Sequence, residues 1–397
     1  MIHQHVRSPR STLEVAVLGA CALAEEVVRI IRETTDDLSE RAGTRLVLGT
    51  ASRADLLVDA TEGTTSSTTV LDALRAGTSV ITANTALIAE RGHRLASAAE
   101  VYGADLFFEA AVVGGVPVVR PLTQSLSGDR VRQVLGVFPP DGANLVAQAA
   151  ILATLAFHTR VDIADVHFEE FAVADPHDLA AADALSLRLR PLTVCTRVSE
   201  QPGPAEGGKE QISVRVHPAL LPATHPLAQV NAPAVTVEAD SAGRLMFSGR
   251  DTVGATASAL LGDLVTAARN RVHGGRAPRA SYYAELPAAP LGDTPTRYYL
   301  NLRVTDHAGA LAQVASIFAD HGVSIERVRQ EHHNDDAHLI VLTHSARESA
   351  LTDTVDALTD ATCVRAVLTR WRVEGAPDQP WTRTDGVRVT PARWARR

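Results

Sequence analysis

The chain has 397 residues, enough for two or three domains with sizeable cores, and its 45 % hydrophobic and 21 % charged content is that of an ordinary soluble globular protein. A net charge of −8 speaks against nucleic acid as a default partner, and no stretch approaches the length of a membrane span. Cys21, Cys195 and Cys363 are few, odd in number and far apart, which argues against a disulfide framework or a cysteine metal site and fits a reducing, cytoplasmic setting. The polar start, MIHQHVRSPRST, has no apolar segment of the kind an export signal needs.

In chain order, residues 13–18 (LEVAVL) read as a buried strand, followed by Gly19 and a helical run over 25–32. Apolar runs at 46–48 and 56–58 lie too close together to hold a helix between them. A helix over 68–76 closed by Gly77, a strand at 79–82, a helix over 87–102 closed by Gly103 and a strand at 105–109 complete the first region. Strands alternating with helices imply βαβ units and a parallel sheet, here one helix short of a regular doubly wound sheet. From about 110 to 290 the pattern becomes α+β, with strands expected at 131–138, 212–217, 235–238 and 245–247 and helices at 145–157, 179–187 and 256–270. A Gly/Pro/Glu loop interrupts it at 201–208, and a linker over 287–295 leads to the last module. That module reads strand 297–304, helix 310–321, strands 324–331 and 337–343 around an Asn-Asp-Asp turn, helix 350–359 and strand 364–373. The order is βαββαβ, the ferredoxin-like arrangement. The tail, 376–397, gathers Arg383, Arg388, Arg393, Arg396 and Arg397 beside Trp381 and Trp394, and reads as solvated or as a binding segment.

The first strand-to-helix turn of the last module is Thr305-Asp306-His307-Ala308-Gly309-Ala310-Leu311. It resembles the ACT domain, whose turn runs Asp-x-x-Gly-x-Leu at this place. The glycine permits a tight backbone approach, and the helix that follows offers unpaired N–H groups to a carboxylate. The resemblance implies side-by-side pairing and an amino-acid effector contacted by Asp306, Gly309, Ala310 and Leu311; a dimerisation unit without ligand is the alternative. His332, His333, His338 and His344 read as surface histidines on the hairpin rather than as a metal site.

Four segments of the body resemble homoserine dehydrogenase, the NAD(P)-dependent enzyme that interconverts aspartate semialdehyde and homoserine. They are Val80-Ile81-Thr82-Ala83-Asn84-Thr85-Ala86-Leu87, Phe108 to Pro117 (FEAAVVGGVP), Arg215-Val216-His217-Pro218 with His225-Pro226-Leu227, and Thr256-Ala257-Ser258-Ala259 leading into Gly262-Asp263-Leu264-Val265. Long members of that family end in an ACT domain that responds to threonine. The resemblance implies an α/β protein with a reduced Rossmann-like NAD(P)-binding domain over 13–107 and an α+β substrate and dimerisation domain over 108–288. The ACT domain follows over 297–373, then the basic tail over 376–397. It also implies a homodimer or higher homo-oligomer, a threonine-like effector, and a Na+ or K+ ion at Glu109, Val112 and Gly114. For those three residues a plain Gly-Gly-x-Pro turn joining two domains is the alternative.

The candidate cofactor-binding positions are Gly19, Cys21, Ala24, Arg53 and Asn84. The fingerprint G-x-G-x-x-G/A is present as Gly19-Ala20-Cys21-Ala22-Leu23-Ala24, so Cys21 places a side chain where backbone should approach a pyrophosphate. Glu25 and Glu26 follow, and carboxylates in a first helical turn stabilise an empty terminus but repel a phosphate. Either an ordinary capped helix or a working cofactor loop fits this pattern. Arg53 stands where a ribose-binding acid is expected and would suit the 2′-phosphate of NADP. The family's later glycine-rich turn is here Gly249-Arg250-Asp251-Thr252-Val253.

The chemistry departs further. The lysine of T-A-N-K is Thr85, and an N-G-T-T-N motif with the acidic segment after it has no counterpart. The register of the next helix puts Asn144 at the catalytic aspartate and Gln148 at the catalytic lysine. A neutral amide donates a hydrogen bond but delivers no proton at neutral pH. The expectation is a catalytically degenerate member that acts by binding an amino acid or a partner, including mixed assembly with an active homoserine dehydrogenase. The alternative is a working or repurposed dehydrogenase drawing its acid from Asp141, Glu169, Glu170 or Asp175.

Overall fold

The computed structural model describes residues 12–139, 142–199, 210–279, 281–305, 307–333 and 336–375. The loop at 201–208, Asp141, Asp306 and the basic tail therefore lie outside the described residues.

The first domain is a five-stranded parallel sheet in the order β2-β1-β3-β4-β5. Its elements are β1 (Thr12–Leu18), α1 (Ala22–Ala42), β2 (Arg45–Leu48), β3 (Leu56–Asp59), α2 (Ser67–Arg75), β4 (Ser79–Thr82), α3 (Thr85–Tyr102) and β5 (Leu106–Phe107). Every residue of β3 and β4 is buried, as expected of parallel strands covered on both faces. No helix lies between β2 and β3. Helix α1 runs well past the expected 32. Its polar Thr-Thr-Asp-Asp stretch resembles a helix end, and Thr34 does leave helical geometry (φ −124°, ψ 22°) while its hydroxyl donates back to the Ile30 carbonyl at 2.8 Å. The helix continues because Leu38 and Ala42 are buried on the same core as Val27 and Ile31, and Gly43 closes it in the left-handed region.

The second domain contains α4 (Ala110–Val113), β6 (Val131–Val137), α5 (Gly142–Phe157), β7 (His167–Phe168), α6 (Pro176–Ala184), β8 (Leu187–Ser199), β9 (Glu210–Pro222), α7 (Pro226–Gln229), β10 (Ala234–Ala239), β11 (Gly243–Ser248) and α8 (Val253–His273). Strand β8 occupies a stretch to which no element was assigned from the sequence, and it holds an interior proline, which is unusual in a central strand. It nevertheless pairs with β9 along its whole length, and Pro191 lies opposite Pro218, so both missing donors fall at one point of the ladder. Helix α6 ends at Ala184, short of the expected 187, and Leu187 already belongs to β8. Helix α8, although it comes late in the chain, packs Leu260, Leu264 and Ala268 into the same core as Val27, Ile31 and the first sheet.

The last module comprises β12 (Pro295–Thr296), β13 (Tyr298–Val304), α9 (Ala310–Asp320), β14 (Ile325–His333), β15 (Asp336–Thr343), β16 (Ala346–Arg347), α10 (Glu348–Asp360) and β17 (Val364–Val373). Its sheet order, β17-β13-β15-β14, is the ferredoxin-like one, and Leu300, Leu302, Val314, Phe318 and Leu351 fill the space beneath the two helices. The module's sheet does not stand apart. β17 pairs in parallel with β9 (Arg372 opposite Ala219, Val373 opposite Leu220), so one sheet runs β11-β10-β6-β8-β9-β17-β13-β15-β14 across both domains.

Buried ions lock this seam. Arg372 is 5 % exposed and donates to both oxygens of Glu348, itself 3 % exposed, at 3.1 and 3.2 Å from Nε, and to Glu169 at 2.7 Å. Tyr298 donates to Glu348 at 2.6 Å, and burial together with that carboxylate pushes its phenol up to about 12. Arg215 of β9 pairs with Glu374 at 3.0 Å, next to His217, which burial and the charges of Arg215 and Arg372 keep neutral. His167 and Arg372 hold the Glu169 carboxyl well below its usual range.

Removing one member of a buried ion pair costs about 3–5 kcal/mol because the other charge is stranded. Arg372→Met is therefore expected to lower the denaturation midpoint strongly, and Glu348→Leu added to it to recover part of the loss. Because the Glu169 pKa is depressed on folding, its stabilisation is present above about 4.5 and lost as pH falls below that value. Glu169→Gln should flatten the acid limb of a melting-temperature profile and lower the plateau at neutral pH; an unchanged acid limb would contradict the assignment.

Candidate functional site

Of the sequence positions proposed for a cofactor, Gly19, Cys21 and Ala24 follow the carboxyl end of β1, Arg53 follows β2 and Asn84 follows β4. Gly19 ends the first strand with φ +127°, and a Cβ there would sit 2.8 Å from the Ala60 carbonyl oxygen, so only glycine fits the turn. Cys21 is the residue before α1, in extended geometry, and its thiol donates to the Ala60 carbonyl at 3.1 Å. Ala24 is buried, and its Cβ lies within 3.2 Å of a side chain built on Gly19. Glu26 is bound by Arg29 at 2.8 Å, which lowers its pKa and offsets its charge. Arg53 is exposed on the β2–β3 loop. These residues fit the pyrophosphate of a nicotinamide dinucleotide: the tight turn is intact and the backbone amides opening α1 would face the phosphates. When bound, that group supplies hydride chemistry.

Asn84 serves the loop from below. It is 2 % exposed, its Oδ1 accepts from Leu87 N at 2.9 Å to cap α3, and its Nδ2 donates to the Gly63 carbonyl at 2.6 Å and to Thr61 Oγ1 at 3.1 Å. Thr61 and Thr82 in turn donate to the fully buried Asp59, at 2.6 and 2.8 Å. The sequence reading passed over Asp59; an aspartate closing an apolar strand (LLVD), followed by Thr61, Ser66 and Thr82, was the available signal.

Glu109 performs the structural task of the domain-joining turn, the alternative given to the cation. Its carboxylate accepts the backbone N–H groups of Val118 (2.6 Å), Val119 (2.7 Å) and Arg120 (3.0 Å), so it staples the domain-joining turn. Its own N–H donates to Asp263 on α8 at 3.0 Å, and Arg120 binds the same aspartate. Burial pushes the Asp263 carboxyl up to about 6 despite that arginine. With its oxygens committed, the Glu109 side chain does not fit as a metal ligand, and an ion at Val112 and Gly114 would depend on main-chain oxygens. Gly114 and Gly115 are needed for packing: a Cβ on Gly115 would meet Ala255 at 2.6 Å and the Arg250 carbonyl at 2.9 Å. Thr252, in the Gly249–Val253 turn, caps α8 by accepting from Ala255 N at 3.2 Å.

Thr85 opens α3, while Asn144 and Gln148 lie in the first half of α5. Asn144 is exposed; Gln148 is half-buried, and its Oε1 is buried with no partner among the described residues. A cleft of about 340 Å³ beside the Glu109 turn is lined by Ile151, Leu155, Arg160 and Tyr282 but by none of Thr85, Asn144 and Gln148. The alternative acids are placed as follows, Asp141 lying outside the described residues. Glu169 belongs to the seam, Asp175 caps α6 through His177 N at 2.7 Å, and Glu170 is exposed. On the last module, Gly309 precedes α9 with φ +98°, Ala310 is buried and Leu311 is 46 % exposed. His344 is exposed as read, whereas His338 is half-buried with its ring centroid 5.6 Å from that of His177.

Gly19→Ala is expected to cost about 1–3 kcal/mol from strain at a positive φ, read as a lower denaturation midpoint. Cys21→Gly should leave the fold intact and tighten NADPH binding in calorimetry; an unchanged affinity would show that the thiol, turned to Ala60, does not obstruct the phosphates.

Comparison with known proteins agrees along the chain. Residues 3–109 match the homoserine dehydrogenase NAD-binding domain, 141–265 homoserine dehydrogenase, and 298–362 the ACT domain. The homoserine dehydrogenase of Mycobacterium tuberculosis is 42 % identical over 434 aligned residues, covering 91 % of this chain and 97 % of that one. That of Corynebacterium glutamicum is 39 % identical over 436, covering 93 % and 97 %. Both alignments are longer than this 397-residue chain, so each relative carries residues that it lacks. The structure of a Thiobacillus denitrificans homoserine dehydrogenase shares the fold with a TM-score of 0.82 at 23 % identity, over 92 % of this chain and 99 % of that one. Matched in all three domains and over nearly its whole length, the chain belongs to the homoserine dehydrogenase family.

Proposed function

We propose that this protein is a homoserine dehydrogenase-family member that does not carry out normal hydride-transfer catalysis and instead acts through its ACT domain as an amino-acid-binding, regulatory protein. The observation that carries this reading is the composition of α5. None of the residues of GANLVAQAAILATLAF is ionisable, so the helix that by resemblance should hold the catalytic acid and lysine offers no proton to a developing alkoxide. Gln148 at the lysine position and Thr85 in T-A-N-T are neutral as well. The excess length of the alignments to the curated relatives supports the same view, since the family's acidic substrate segment has no counterpart before α5.

On this reading the protein works in the cytoplasm as a homo-oligomer or together with an active homoserine dehydrogenase. A threonine-like effector would sit at the turn that includes Gly309, Ala310 and Leu311, with Asp306 outside the described residues. NADP is the cofactor expected if the Gly19 turn is used, Arg53 being free of an acidic ribose partner in the sequence. An active NAD(P)-dependent dehydrogenase is the second reading, favoured by that intact turn.

One assay separates them. NADPH oxidation with aspartate semialdehyde is expected to fall below that of an active relative by at least about 10²-fold, the usual cost of losing a general acid. Turnover within tenfold of the relative would overturn the proposal. Thermal shift with threonine is expected to raise the midpoint, and Leu311→Glu to abolish that rise.

A further inference from the structure

The cleft of about 340 Å³ beside the Glu109 turn falls within the roughly 300–1,000 Å³ of small-molecule sites, and it holds none of the positions assigned to a cofactor or to the ACT turn. It is open because α3 turns small residues toward it, Ala89, Gly92 and Ala96, opposite Ile151 and Leu155 of α5. Apart from the backbone of α3 itself, a Cβ on Gly92 would meet only Ile88, at 3.4 Å. Strand β5 forms one wall. Among the described residues it ends its sheet and pairs only with β4, and all five residues from Asp105 to Glu109 line the cleft. Side chains of a strand alternate between its faces, so five consecutive lining residues mean that the cleft runs along the strand's edge. Val80 N–H donates to the Asp105 carbonyl at 2.8 Å, and successive residues of a parallel strand address opposite neighbours, so the amide and carbonyl of Leu106 turn away from β4. An unpaired edge of this kind takes up a complementary donor and acceptor.

The charges around the cleft are answered within the protein. Four arginines and five carboxylates line it, so neither sign dominates. Asp162 pairs with Arg160 at 3.1 Å, Asp263 with Arg120, and Glu109 with three amides. Asp105 accepts from Asn270 at 2.9 Å and from Ala277 N at 2.8 Å, while Arg276 donates to the Gly103 carbonyl. That leaves Arg279 and Glu100, one of each sign, both exposed. Burial lowers the pKa of His93 and of His158, so both imidazoles are neutral hydrogen-bonding groups at neutral pH. Ser281 and Tyr282 add hydroxyls from the segment after α8, which is tethered through Ala277 to Asp105 and through Ala284 N to the His158 carbonyl at 3.0 Å.

We propose that this cleft binds a small uncharged heterocycle with an amide edge, the class of lactams and nucleobases, its N–H and C=O paired with Leu106 on β5 and its ring between Ala96 and Leu155. An occupant joins α3 and β5 of the first domain to α5 of the second. The site is separate from the Gly309–Leu311 turn and does not rest on it.

Calorimetry on the full chain with uracil and valerolactam, each beside its fully N-methylated form, and with orotate as a carboxylated uracil tests this. Uracil or valerolactam is expected to bind, the tighter of the two separating a nucleobase from a lactam source. N-methylation, which removes the donor, and the carboxylate of orotate should each weaken binding at least tenfold. Ala96→Trp, which fills the slot, should do the same, whereas Leu311→Glu should leave binding unchanged. Ser281 is exposed, so Ser281→Trp at the mouth decides the matter if Ala96→Trp fails to fold. No binding of either parent at millimolar concentration, equal binding of the N-methylated forms, or binding untouched by the tryptophan variants would overturn the proposal.

Discussion

The parallel pairing of β17 with β9, closed by Arg372, is the contact on which the architecture turns. A ferredoxin-like unit ordinarily has its own sheet with two free edges. Here one edge is joined to the body, so the ACT domain and the second domain share a single hydrogen-bonded sheet. Arg372 reaches three elements at once: Glu348 on the module's second helix, Glu169 next to β7, and, through Glu348, Tyr298 on β13. An ion cluster buried in this way contributes little net stability compared with an apolar seam, but it fixes the register of what it joins, because any slip strands charges. Movement of the module is thereby tied to movement of β9, which carries Arg215 and His217.

A second constraint holds the dinucleotide domain to the body. The Glu109 staple ties the 117–120 turn to α8 through Asp263, and α8 in turn completes the core around α1 and the first sheet. The cofactor turn is thus supported from the far end of the chain, and its geometry survives although Cys21 and the acidic helix start depart from the usual fingerprint. The frame is well built, and α5 within it carries no ionisable group. Frame and reactive groups are separable, since packing asks for shape and burial whereas proton transfer asks for particular titratable atoms.

Much of this was legible in the residues. Gly19, Gly77 and Gly103 mark turns that only a glycine makes comfortably, and the apolar periods between them gave most strands and helices of the first domain, as the periods of the last module gave its βαββαβ order. Where the reading failed, a local rule met a tertiary override. β8 forms in spite of Pro191, which lies opposite Pro218 in the ladder, and α1 continues past Thr34 because Leu38 and Ala42 share a core with α8. Glu109 was read either as one of three residues at a cation or as part of a domain-joining turn, and its carboxylate accepts from three amides nine to eleven residues downstream, a pairing that no spacing rule announces.

By itself, then, the sequence determined the order of elements, the family resemblance and the absence of ionisable groups from α5, because these depend on which residues are present and on short-range backbone preference. Only the tertiary structure decided that the ACT sheet continues the body's sheet, that Glu169 and Arg372 meet 203 residues apart, and that Asp178 and Asn301 meet between two domains. Those pairings are set by the burial of distant charges and faces against each other, which has no signature in any one segment of the chain.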